Sequence, residues 1–217
     1  MVAHCSLPPT VGFARVKSIS LTLLFLGAML SLSLGATRDE TKIAALYARG
    51  LAGDRQAVID CVTALEQVLR ARPNDQLARV YLGSAYTLRS RDLPFGIAKW
   101  NALRHGMALM DEAAAAAPDN GKVQLLRAVT YEAFPALLGR AKIARQALDD
   151  LVAAVEKNPT KLNPSDRQLL YLNAGEAAQK AGERKRAQEL WQRGAAINAD
   201  QKLTQEIRAA LGRLGSS

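Results

Sequence analysis

The chain has 217 residues, with 29 Lys and Arg against 20 Asp and Glu, a formal net charge of +9, and only 5% aromatic residues. That length is enough to bury a core without covalent staples, and the two cysteines exclude a disulfide-built scaffold. Alanine, leucine, lysine, arginine and glutamate dominate while β-branched runs are absent, which favours helix over strand.

Residues 1–36 differ from the rest. They hold no acidic residue, and Arg15 and Lys17 precede an apolar run from Ser20 to Leu30 that gives way to Ser31, Ser33, Gly35 and Ala36. A basic start, an apolar middle and a small-residue exit predict a secretory signal peptide. The alternative is an N-terminal membrane anchor, since the 20 residues from Ser18 to Thr37 are uncharged and long enough to span a bilayer. Both readings keep Arg15 and Lys17 inside and put residues 37–217 outside the cytoplasm, as an exported periplasmic domain or an anchored one. Residues 1–36 carry two of the 29 cations and none of the 20 acids, so the remainder nets +7. Its charges are interspersed as on an ordinary solvated surface.

Further along, three breaks look alike: Pro73-Asn74-Asp75, Pro118-Asp119-Asn120 and Pro159-Thr160, with Asn198-Ala199-Asp200 as a fourth. They recur at 45, 41 and 40 residues, and each ends a long amphipathic stretch. Proline stops a helix and Asn or Asp caps the next one. A helix is predicted over 41–51 and another over 54–72, then two per break. Counting back twelve, eight and five residues from each break gives Cys61, Leu65 and Val68; Gly106, Met110 and Ala113; Ala147, Leu151 and Ala154; and Ala187, Trp191 and Gly194. The order is small, large, then small or medium, which suits close helix packing. Gly83 and Tyr86, then Ala128 and Tyr131, recur after the first two breaks, and Gly175 and Ala178 match them in the last unit. A last helix over 201–214 puts Leu203, Ile207, Ala210, Leu211 and Leu214 on one face, as a capping helix would.

Residues 168–201 resemble the tetratricopeptide repeat: Tyr171, Gly175, Gly182, Ala187, Trp191 and Ala195 stand at that family's spacing, with Ala199 where it has proline. The resemblance is weaker upstream and covers roughly residues 41–200. It implies an all-α, right-handed superhelix of about four helix pairs with a C-terminal capping helix. It also implies a protein-binding or assembly role.

No catalytic signature is present. There is no Walker A loop, nucleophile elbow or dinucleotide fingerprint, and His105 and Cys61 alone remain beyond residue 36, too few for a His/Cys metal cluster. No enzyme activity, cofactor or metal is expected. Cys61 occupies a small packing position. The basic run Arg184-Lys185-Arg186 lacks an aromatic platform, so nucleic acid is not expected. Membrane contact is expected only through the N-terminal segment.

Two surfaces are candidates for a partner. The resemblance places a groove along Val80, Ser84 and Thr87, then Leu125, Val129 and Glu132, then Leu172, Glu176 and Gln179. This mixed strip would suit a peptide. The second surface is a pair of stretched links, Arg89-Ser90-Arg91-Asp92-Leu93-Pro94-Phe95-Gly96 and Phe134-Pro135-Ala136-Leu137-Leu138-Gly139-Arg140. Relative to the last unit they lengthen the middle units by 11 and 7 residues. Each joins the two helices of a unit, so they should emerge beside one another. Insertions of this kind mark a functional face. Arg89, Arg91, Phe95, Lys99, Phe134 and Arg140 are its candidate residues, and they leave open an anionic ligand in place of a protein.

Overall fold

The computed structural model describes residues 40–135 and 138–215. The signal or anchor expected over residues 1–36 lies outside the described residues. The chain divides into two compact units, Met1–Ala45 and Leu46–Ser217. Of the first, residues 40–45 are described, and they are helical.

The described structure is all-α. A helix runs over 40–51 (α1). It is followed by α2 (Arg55–Ala71), α3 (Gln76–Asp92), α4 (Ile97–Ala116), α5 (Gly121–Glu132), α6 (Ala141–Lys157), α7 (Pro164–Lys180), α8 (Arg184–Ile197) and α9 (Gln201–Gly215). Among the described residues no helix is long and apolar enough to cross a membrane.

The breaks work through caps. The carboxylate of Asp75 accepts from the Ala78 N–H at the start of α3, and the Asn120 side chain accepts from Lys122 and Val123 at α5. Asn163 does the same for α7, ahead of Pro164 in its first turn, and Asp200 for α9. Each satisfies a backbone donor that a helix start leaves unpaired. The third break differs from the others. A 3-10 turn over Pro159–Lys161 intervenes before α7, which is why the Gly175 match falls later after its proline than Gly83 does.

Packing follows the small-large code at three of the four breaks. Cys61, Leu65, Met110, Ala113, Ala187 and Trp191 are all buried. On α6 the large position, Leu151, is buried but the two small positions are half-exposed. Ala147 is half-exposed, and with Ala154 it lines an open recess of about 600 Å³ between α5 and α6, while Ala144, Leu148 and Leu151 fill the core.

Backbone contact is tightest between α3 and α4. A Cβ on Gly83 would lie 2.6 Å from the Gly106 carbonyl oxygen, and one on Gly106 would lie 2.5 Å from the Gly83 oxygen. In the last pair Trp191 occupies the space over Gly175 and donates to the Leu172 carbonyl at 3.0 Å. The recurring tyrosines reach back alike: Tyr86 donates to Glu66 at 2.7 Å and Tyr131 to Asp111 at 2.8 Å.

The fourth break is closed by a side chain. Gln168 is fully buried, donates to Thr204 at 2.7 Å, and accepts from the N–H groups of Ala199 and Asp200 at 3.1 and 2.9 Å. Asn198 takes the left-handed conformation, φ 49°, that starts this turn. Ile207 and Ala210 of α9 are completely buried and join the core of the last pair.

Candidate functional site

The first helices of successive pairs share one face, joined by side-chain bridges. The Tyr47 hydroxyl of α1 bonds Ser84 of α3 at 2.7 Å, and Ser84 bonds Thr130 of α5 at 3.1 Å. Lys122 of α5 pairs with Asp166 of α7, and Glu132 of α5 pairs with Lys180 of α7 at 2.8 Å. The Tyr47 and Tyr81 rings meet edge to face with centroids 5.2 Å apart. Burial pushes both phenols up to about 12, so they stay protonated hydrogen-bond groups at ordinary pH.

The expected groove row sits differently from the open one. Val80 and Leu125 have no exposed surface and Leu172 is buried, so these three are core residues rather than groove contacts. Ser84 and Thr87 are buried as well, Thr87 bonding the Ser84 carbonyl at 2.7 Å. Val129 packs on the core, Glu132 is buried against Lys180, and Gln179 is exposed. One position further on, Tyr81 and Leu88 in α3 and Thr130 in α5 are half-buried, while in α7 Lys180 is exposed and Asn173 is just buried, at 9%. One residue is a rotation of about 100° on a helix. It turns Val80, Leu125 and Leu172 into the seams between pairs, where burying apolar surface is favourable.

Glu176 stays at this face. Burial raises its carboxyl above the usual carboxylate range; Lys180 opposes the shift, Glu132 and Glu206 add to it, and Arg213 opposes it. Its carboxylate accepts no hydrogen bond among the described residues, whereas Glu132 beside it holds Lys180 at 2.8 Å.

The second surface is the edge where the links emerge. Phe95 is 101% exposed, Ile97 81% and Trp100 50%. Together with Gly96, Lys99 and Leu103, and with Pro135 and Leu138 from the other link, they border an open recess of about 510 Å³. The two links therefore lie side by side. Gly96, at φ 148°, makes a turn open to glycine but strained for a side chain. Phe134 behaves unlike Phe95. It packs on Tyr131, ring centroids 5.4 Å apart, and against the core.

The cations of the links make internal contacts. Lys99 Nζ donates to the carbonyls of Ser90, Arg91 and Leu93 at 2.8, 3.3 and 3.3 Å, closing the C-terminal end of α3. Arg91 holds Asp92 at 2.9 Å and the Gly50 carbonyl at 3.1 Å. Arg140 lies over the Tyr131 ring at 5.1 Å, with Asp111 3.7 Å away, and Arg89 lies over Tyr86 at 5.9 Å. Lys99 and Arg91 thus spend donors on the protein, while Arg140 and Arg89 lie over aromatic rings.

Ile97, Trp100 and Leu103 lie outside the links that the sequence singled out. A signal was present: Ile97 and Trp100 follow Gly96 at a helix start that has no capping side chain and no acid in its first turn.

No known family's sequence profile matches the chain, and no curated protein matches it. Among solved structures it is similar to TTC0263, a thermophilic TPR protein from Thermus thermophilus. The TM-score is 0.57 at 19% identity, covering 89% of this chain and 96% of that one. MamA (MSR-1) aligns with a TM-score of 0.44 at 23% identity, over 82% of this chain and 88% of that one. The chain has a tetratricopeptide-repeat-like fold: helix pairs in series with a terminal helix packed on the last pair.

Proposed function

We propose that the chain is a non-enzymatic binding and assembly module of the cell envelope, taking a protein segment along the face of its first helices. The observation that carries this reading is Glu176. A half-buried carboxylate with no hydrogen-bond donor among the described residues is costly to keep charged, and an incoming cationic or amide group would relieve it. Tyr81, Thr130 and Asn173 line the same face with hydroxyl and amide groups, and Leu88 adds apolar contact. A face of this kind suits a helical or extended peptide carrying Lys or Arg. The fold alone would not fix this role. Similarity to a TPR protein is consistent with protein binding. The envelope setting rests on residues 1–36 and their signal-like pattern.

The test is photo-crosslinking in cells, with the crosslinking residue at Asn173 on this face or at Ile59 on the outer side of α2. A partner captured from position 173, absent from 59, and lost on Glu176→Lys is the expected result. Equal capture from both positions, or capture indifferent to Glu176→Lys, would remove the basis of the proposal. N-terminal sequencing of the mature chain tests export: a soluble cytoplasmic chain beginning at Met1 overturns it.

A further inference from the structure

From the platform at the link edge we infer a second contact, with a lipid surface: Phe95, Ile97 and Trp100 insert into the interfacial region of an anionic bilayer. Sequence reasoning confined membrane contact to the N-terminal segment; this contact belongs to the folded repeat.

Three observations lead there. The first is shape. Phe95 and Ile97 stand almost wholly in solvent at 101% and 81% exposure, as projections rather than the walls of a socket. A peptide-binding groove offers backbone or side-chain partners for the peptide's polar groups, but the residues bordering this recess are all apolar except Gly96 and Lys99. The second is residue type. Tryptophan favours the membrane–water boundary, where its ring is apolar and its N–H stays wet. Trp100 sits one turn behind Ile97, with the leading edge formed by Phe95 and Ile97.

The third is charge. Across residues 89–104 and 133–142 stand Arg89, Arg91, Lys99, Arg104, Arg140 and Lys142, against Asp92 within these stretches and Asp111, 3.7 Å from Arg140. Internal hydrogen bonds to carbonyls occupy the donors of Lys99 without cancelling its charge. A desolvated small-anion site needs free donors, whereas attraction to a charged surface needs net charge within about 8–10 Å. The α4 N-terminus adds to the positive end, since Gly96 caps it without a side chain and no acid lies in its first turn. Apolar projections on links that carry an excess of cations are complementary to an anionic bilayer.

The chain contains two tryptophans, and they separate the readout. Trp191 is fully buried, so Trp100 reports the platform. The full chain is mixed with vesicles of phosphatidylcholine alone, or with 30 mol% phosphatidylglycerol (about one lipid in three), with and without bromine-labelled acyl chains. Residues 1–36 can bind vesicles on their own, so total binding decides nothing; the emission of Trp100 does. Insertion predicts a blue shift and bromine quenching with the anionic vesicles, both lost in Trp100→Phe. Phe95→Ser with Ile97→Ser abolishes them without lowering total binding. Arg104→Gln, four residues along α4 from Trp100, raises the anionic-lipid concentration for half-maximal shift about fivefold. An unshifted, unquenched Trp100 overturns the inference, as does a shift indifferent to Phe95→Ser with Ile97→Ser or to lipid charge. A photo-crosslinker at position 95 that captures a protein and no lipid in native membranes overturns it in favour of a protein partner. Failure at Asn173 and Glu176 leaves this result untouched, because the two faces are read by separate variants.

Discussion

Gly83→Ala should destabilise the protein, although alanine is the better helix former. A Cβ at position 83 would stand 2.6 Å from the Gly106 carbonyl oxygen and 3.0 Å from the Met110 backbone nitrogen, so no side-chain rotation can make room. Reaching ordinary contact at 3.4 Å requires α3 and α4 to separate by about 0.8 Å. A gap of that size forfeits a quarter to a half of the dispersion well for each atom pair across it, and overpacking of this kind costs about 3 kcal/mol. Alanine returns about 1 kcal/mol of helix propensity. The net loss is about 2 kcal/mol, or about 4–8 °C in Tm for a domain of this size. The control is Gly212→Ala in α9, where nothing lies within 4 Å of the added carbon. There only the propensity gain of about 1 kcal/mol remains, and Tm should rise by about 2–4 °C. Thermal unfolding followed by far-UV circular dichroism reads both. A Gly83→Ala protein as stable as the parent, or a Gly212→Ala protein that loses as much, would refute the reasoning from close approach.

Glu176→Gln should raise stability at neutral pH. The folded-state pKa of Glu176 lies above the ordinary 4.5, so the folded protein holds its proton longer than the unfolded chain; stability is full below 4.5 and lost as pH rises through the raised pKa. Urea unfolding at several pH values should show the variant's advantage at pH 7 vanish towards pH 4, and a constant advantage would contradict this. Gln168→Ala leaves the N–H groups of Ala199 and Asp200 unpaired and opens a cavity under α9, at a cost of about 2–4 kcal/mol. Hydrogen exchange should show α9 losing protection before α7; uniform protection loss would count against it. Phe95→Ser should leave Tm within the shift expected of about 0.5 kcal/mol, because the ring touches solvent alone. A larger loss would mean that the ring packs within the protein.

Much of the helix inventory was legible in the sequence. Proline cannot continue a helix and Asp75, Asn120 and Asp200 can start one, so local chemistry placed the breaks. Small and large residues at helical spacing announced close pairs, and Gly83 facing Gly106 and Gly175 under Trp191 answer to that pattern. What the sequence could not determine was rotation. A carried-over groove position differs from its neighbour by about 100° about the helix axis, and only packing between α3, α5 and α7 shows that Val80 and Leu125 turn inward. On α6 the count from Pro159 finds the buried Leu151, but only packing shows that Ala147 and Ala154 stay half-exposed. The links show the limit most plainly. Both contain a phenylalanine beside a proline, and only tertiary contact buries Phe134 against Tyr131 and leaves Phe95 in solvent. Local interactions span a few residues and are written in order along the chain. Exposure is set by whatever comes back across the surface from elsewhere in it.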